Sequence, residues 1–138
     1  MPKELKSYEV KFEDEKVKRD KKRIEAINKE RKKLSGILKR NDIDPDKLKM
    51  AEGLISTAAY MRVTLEEYAN DMKKNGHTEP FTQSDKTEPY DRERPIVRLY
   101  NAMVKNYSQV MKQLFDMLPN KAAAKDALMQ EYEEKYFK

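Results

Sequence analysis

RPIVRLYNAMVKNYSQVMKQLFDMLP, Arg94 to Pro119, reads as one long amphipathic helix set between two prolines. Pro95 suits the first helical position, where its missing N–H costs nothing. Pro119 cannot continue the helix and marks its stop. Between them Ile96, Tyr100, Met103, Tyr107, Val110, Leu114 and Met117 recur at alternating four- and three-residue steps, which places them on one seam. Val97, Val104, Met111 and Leu118 form a second row beside it. Two adjacent apolar rows predict a helix packed against two partners, one of them another subunit.

Upstream, Asp44-Pro45 caps and starts a second long helix that runs to about Lys74. Its stripe of Ala51, Leu54, Ala58, Met61, Leu65, Tyr68 and Met72 keeps strict heptad spacing. The small residues at 51, 58 and 59 let another helix approach closely. Thr64 to Glu67 has the form of a capping box, but the stripe passes through it, so one continuous helix is expected. Asn75-Gly76 closes it. The two helices predict an antiparallel hairpin over residues 41–119, joined by a polar loop, 75–94, that holds Pro80 and Pro89. Its expected role is oligomerisation, through Leu54, Ala58, Met61, Leu65, Tyr100, Met103, Tyr107, Val110 and Leu114. Residues 1–15 are expected to be an arm, with Tyr8, Val10 and Phe12 in an extended alternation. Residues 16–40 read as a basic helix on the stripe Val17, Ile24, Ile27, Leu34 and Leu38, with Arg31 an odd member and Ser35-Gly36 a weak point. Residues 120–138 read as a final polar helix. The fold class expected is all-α: the hairpin, a basic N-terminal helix and a short C-terminal helix, assembled as a ring-shaped homo-oligomer.

Charge is unevenly distributed along the 138 residues. The whole carries +5, but residues 16–40 hold twelve bases against three acids, +9, while residues 1–15 and 41–138 each carry −2. Such asymmetry points to a polyanion. At about 100° per residue, Lys18, Lys22, Lys29, Lys33 and Arg40 fall opposite the apolar stripe, flanked by Lys21, Lys32 and Lys39, with Arg19 in the same run. These nine are the candidate DNA-binding residues. The segment has no aromatic residue and one side-chain amide, Asn28, so phosphate contact is expected of it rather than the reading of base edges.

Catalytic equipment is scarce in the sequence. There is no cysteine, and the single histidine, His77, sits beside Gly76 in the loop. This supports neither a transition-metal centre nor a histidine-dependent catalytic triad. Three glycines, at 36, 53 and 76, make neither a Walker A loop nor a dinucleotide fingerprint. No enzyme activity, cofactor or small-molecule substrate is expected. Lacking a long apolar run and a leader-type N-terminus, the chain is expected in a cytoplasm and not in a membrane.

Tyr100-Asn101, Lys105-Asn106-Tyr107, Lys112-Gln113-Leu114 and Leu118-Pro119, in that order, resemble the closing signature of the P27-like family of phage terminase small subunits. Ala58-Ala59-Tyr60-Met61 followed by Thr64-Leu65-Glu66-Glu67 is similar to the central helix of the same family. The resemblance spans residues 48–120, about half the chain. It implies a viral DNA-binding component of the genome-packaging motor in the host cytoplasm. Such a component is a ring-shaped homo-oligomer that engages double-stranded DNA and presents it to a large subunit, which supplies the ATPase and nuclease. Tyr132, Tyr136 and Phe137 are then candidate contacts for that large subunit. Many small terminases carry an N-terminal helix-turn-helix, and here residues 16–40 read as too long and uninterrupted for one, unless Ser35-Gly36 to Pro45 supplies the turn. Two other readings of the same residues stand beside this one: a helical adaptor whose basic helix binds an acidic protein, and a non-viral nucleic-acid-binding helical protein.

Overall fold

The computed structural model of the chain describes residues 7–119, 126, 129 and 130, with side chains from residue 14 onward. Three helices carry the fold: α1 (Ser7–Arg40), α2 (Pro45–Asn75) and α3 (Pro95–Phe115), with a two-stranded sheet, β1 (Thr78–Phe81) and β2 (Tyr90–Glu93), between the last two. The expected C-terminal helix and its three aromatic contacts, Tyr132, Tyr136 and Phe137, lie outside the described residues. So does the start of the expected arm.

α2 is the central element, with α1 packed on one side and α3 on another. Each runs antiparallel to it, so α1 and α3 point the same way. The chain turns from α1 into α2 through a Schellman motif. Asp42 takes the left-handed conformation (φ 64°), the Ile43 N–H reaches back to the Leu38 carbonyl at 3.2 Å, and the Asp42 N–H to that of Lys39 at 3.2 Å. Ile43 and Leu38 are both buried, which supplies the apolar contact that accompanies this motif. Asp44 then caps α2, its Oδ1 accepting from the Asp46 N–H at 3.3 Å with Pro45 in the first turn.

The core lies at this end of the molecule. Leu34, Ile37, Leu38 and Ile43 meet Ala51, Ile55 and Ala58 of α2 and Met111, Leu114 and Leu118 from the α3 side. Ala51, Ala58 and Ala59 are fully buried, so the expected close approach of helices is realised where the small residues sit. α2 is continuous through Thr64, and its stripe is buried at Ala51, Ala58, Leu65 and Met72 but half-exposed at Leu54, Met61 and Tyr68. Ile55, Ala59 and Val63, off that stripe, are buried as well, because α2 is covered from two directions.

Two expectations are corrected, on the arm and on the loop. Helix α1 begins at Ser7, so residues 7–15 are helical rather than an extended arm. Asp14–Lys18 and Glu15–Arg19 are i,i+4 acid–base spacings that favour helix. The basic helix expected over residues 16–40 runs unbroken through Ser35-Gly36 to Arg40, in agreement with the sequence reading. The helix–turn–helix thus formed is a long antiparallel hairpin, unlike the short crossed pair of a DNA-reading motif. The polar loop contains a β-hairpin, with Thr78 opposite Glu93, Glu79 opposite Arg92 and Phe81 opposite Tyr90. A lone two-stranded ribbon is marginal in water. This one is braced on one face by Arg92, which pairs with Glu79 at 2.8 Å and lies 3.8 Å from the centre of the Phe81 ring. Phe81 in turn meets Tyr90 edge-on at 5.8 Å. Arg94 ties the ribbon to α2, donating to the Gly76 carbonyl and to Asp71 Oδ1, both at 2.7 Å. That hydrogen bond, with a second from Asn75, holds the Asp71 carboxyl below its ordinary range.

Candidate nucleic-acid interface

The basic residues of α1 are positioned by the way that helix meets α2. The contact uses Ile27, Leu34 and Leu38 of the apolar stripe read from the sequence, but not Val17 and Ile24. Arg23 sits in the seam: its Nη2 donates to Thr64 Oγ1 at 3.1 Å, its Nε lies 3.0 Å from Glu67 Oε1, and its guanidinium carbon is 5.2 Å from the centre of the Tyr60 ring. One turn apart along the same side follow Ile27, half-buried, then Glu30 and Leu34, both buried, and then Ile37 and Leu38. Val17 and Ile24, expected to be packed, are 65% and 58% exposed, and Arg31 is exposed as well. The physical reason lies on α2. At this level it offers Tyr60, Thr64 and Glu67, a surface that Arg23 satisfies and a valine or isoleucine does not. The helix is therefore turned toward Arg23, roughly 60° from the orientation that the apolar pattern alone implies.

That turn decides what faces water. Lys21, Lys32 and Lys39 form one row, the last two at the mouth of a groove beside α2, and Lys18, Lys22, Lys29, Lys33 and Arg40 form a second row on the other flank. Eight of the nine candidate residues are exposed: Lys18, Arg19, Lys21, Lys22, Lys29, Lys32, Lys39 and Arg40. Lys33 is half-buried, and both it and Arg40 have partners within the chain. Arg40 folds back over Gly36, where its Nη1 stands 3.4 Å from the position a Cβ would take.

Two open grooves run between α1 and α2. One, of about 540 Å³, is lined by Arg31, Lys32 and Lys39 against a single acid, Glu52. The other, of about 700 Å³, sets Lys16, Arg19, Lys22 and Arg23 against Asp20, Glu66 and Glu67, so its charge is largely balanced. A polyanion is favoured on the outward rows and the first groove, and much less in the second. Among the described residues no three His, Cys, Asp or Glu side chains come together as a metal site, and His77 is exposed.

The nine residues expected to join subunits are divided by the structure. Ala58, Leu65 and Leu114 are buried within the single chain and have no surface left for a second copy, which corrects that assignment. Leu54, Met61, Tyr100, Met103, Tyr107 and Val110 are half-exposed along the α2–α3 seam. Tyr107 lies 6.0 Å from the Arg62 guanidinium, so part of its surface is already used inside the chain. Sequence reasoning missed Arg23 and Glu30 as seam residues, since nothing distinguishes a packed charge from a solvated one until its partner helix is in place. No helix among the described residues is long and apolar enough to cross a membrane. No family model, curated protein or solved structure matches this chain.

Proposed function

We propose that this chain is a small terminase subunit, the DNA-engaging part of a viral packaging motor that presents double-stranded DNA to a large ATPase and nuclease subunit. The observation that carries the reading is the solvent side of α1, where Lys18, Lys21, Lys22, Lys29, Lys32 and Lys39 are exposed on a helix anchored by its opposite side. The resemblance over residues 48–120 supports the assignment to a terminase rather than to a generic DNA binder. Mechanistically the contact is electrostatic. Lysines meet phosphates as point charges, arginines grip them bidentately, and each neutralised phosphate releases counterions. Repetition of α1 once per subunit adds weak contacts through effective concentration.

Ring assembly requires apolar surface that a single chain leaves open. Val17 and Ile24 on α1 and Leu99 and Val104 on α3 supply it, being between 38% and 65% exposed. The purified protein is expected to sediment at several times its 16.4 kDa chain mass and to bind duplex DNA in that form. Changing Ile24 and Leu99 together to Asp is expected to reduce that mass to the single chain. A wild-type protein that sediments as a monomer would remove the ring, and a length-independent complex with an acidic protein in place of DNA would favour the adaptor.

A further inference from the structure

The solvent face of α3 has a composition that α1 lacks. Arg98, Lys105 and Lys112 stand seven residues apart, about 10 Å per step along the axis. Asn101, Gln109 and Gln113 lie among them, within one face about 120° wide. All six are exposed. The face is turned outward by the opposite side of the helix, where Met111 and Leu114 are 7% and 1% exposed against the core.

Three observations separate this face from an ordinary solvated one. First, α3 holds no acid in its 21 residues, whereas at the chain's own content, 25 acids in 138 residues, about four are expected. Second, the side chains of Asn101, Lys105, Gln109 and Gln113 hold no hydrogen bond or ion pair among the described residues, and Arg98 makes one loose contact, 3.5 Å to Glu93, while 89% exposed. Third, Ala102 is small and sits on this face, and Ser108 stands at its edge with its hydroxyl turned back to the Val104 carbonyl at 2.9 Å, so little side-chain bulk stands there between the backbone and an approaching surface.

Bases and amides on one rigid helix are the groups that read base edges. Arg and Lys pair with guanine O6 and N7, Asn and Gln with adenine N6 and N7, and a major groove about 12 Å wide admits one helix. We infer that α3 is the sequence-reading element of this protein, entering the major groove of duplex DNA with Asn101, Gln109 and Gln113 on the base edges. The inference rests on the DNA-binding reading of the chain and divides its labour. α1 supplies salt-sensitive phosphate contact, and α3 supplies discrimination.

The test is selection from a pool of duplexes with a randomised centre, with wild type and an N101A/Q109A/Q113A variant, both checked for helix content and melting. Wild type is expected to enrich a short motif. The variant is expected to bind the unselected pool within about twofold of wild type and to lose the enrichment, since each bidentate amide contact carries about tenfold or more in discrimination. Enrichment retained by the variant, or wild-type binding with no enrichment, overturns the role of α3 and leaves DNA binding by α1 standing. Failure of the wild type to bind any duplex overturns both.

Discussion

Replacing Lys18, Lys21, Lys29 and Lys32 by Glu is expected to lower affinity for duplex DNA by about a hundredfold or more near 0.1 M salt. It should also flatten the dependence of log K on log salt by about 3.6, at about 0.9 for each phosphate contact removed. All four side chains are exposed, so the helix and its packing should persist. The change moves the net charge from +5 to −3, and a loss of binding could then reflect the whole molecule rather than α1. A matched variant answers this. Lys47, Lys49, Lys73 and Lys74, exposed on α2, when changed to Glu give the same net charge away from the proposed surface. That variant is expected to keep most of the affinity. Fluorescence anisotropy with a labelled duplex across a salt series checks both. Equal losses would reduce the basic helix to one contributor to a diffuse field.

The second large effect falls on stability. Leu114 is 1% exposed where α3 meets both other helices, among Leu34, Leu38, Ala51, Ile55 and Ala58. Truncation to Ala removes apolar burial and leaves a cavity that three helices cannot all close, costing about 3 kcal/mol. In a chain of this size that is a fall of about 10 °C in Tm. Met50→Ala, at a side chain 79% exposed, should stay within about 0.5 kcal/mol. Thermal melts at one fixed protein concentration compare the two, since assembly makes Tm depend on concentration. A small effect at Leu114 would mean that the three-helix junction is not the core.

Helix α3 and the hairpin with α2 are legible because their apolar residues repeat at helical spacing and their ends carry strong signals, Pro95 on one side and Asp44-Pro45 with Gly76 on the other. The β-ribbon was hidden by the polarity of residues 77–94. Its pairing is written in Glu79, Phe81, Tyr90 and Arg92, two oppositely charged and two aromatic residues that share one face only once the register is fixed. The orientation of α1 is legible only in its second half, where Ile27, Leu34 and Leu38 pack as the stripe implies. Periodicity finds apolar side chains, and here the seam is held in its outer half by Arg23 on Thr64 and Glu67. An ion pair and a cation–π contact took the place that Val17 and Ile24 were expected to fill. The basic rows were found in spite of this, because charge segregation along residues 16–40 does not depend on which side of the helix is packed. The polar face of α3 is hard to read in the sequence for a related reason: its apolar seam dominates the pattern, and an absence of acids leaves no periodic mark.

The most direct measurement of the central claim, that α1 presents a phosphate-binding surface, is the affinity of the wild-type protein for duplex DNA as a function of salt. Engagement of at least five of the exposed bases predicts a slope of log K against log salt steeper than about −4. Binding that is indifferent to salt, or no binding to duplex DNA at low salt, would contradict the account.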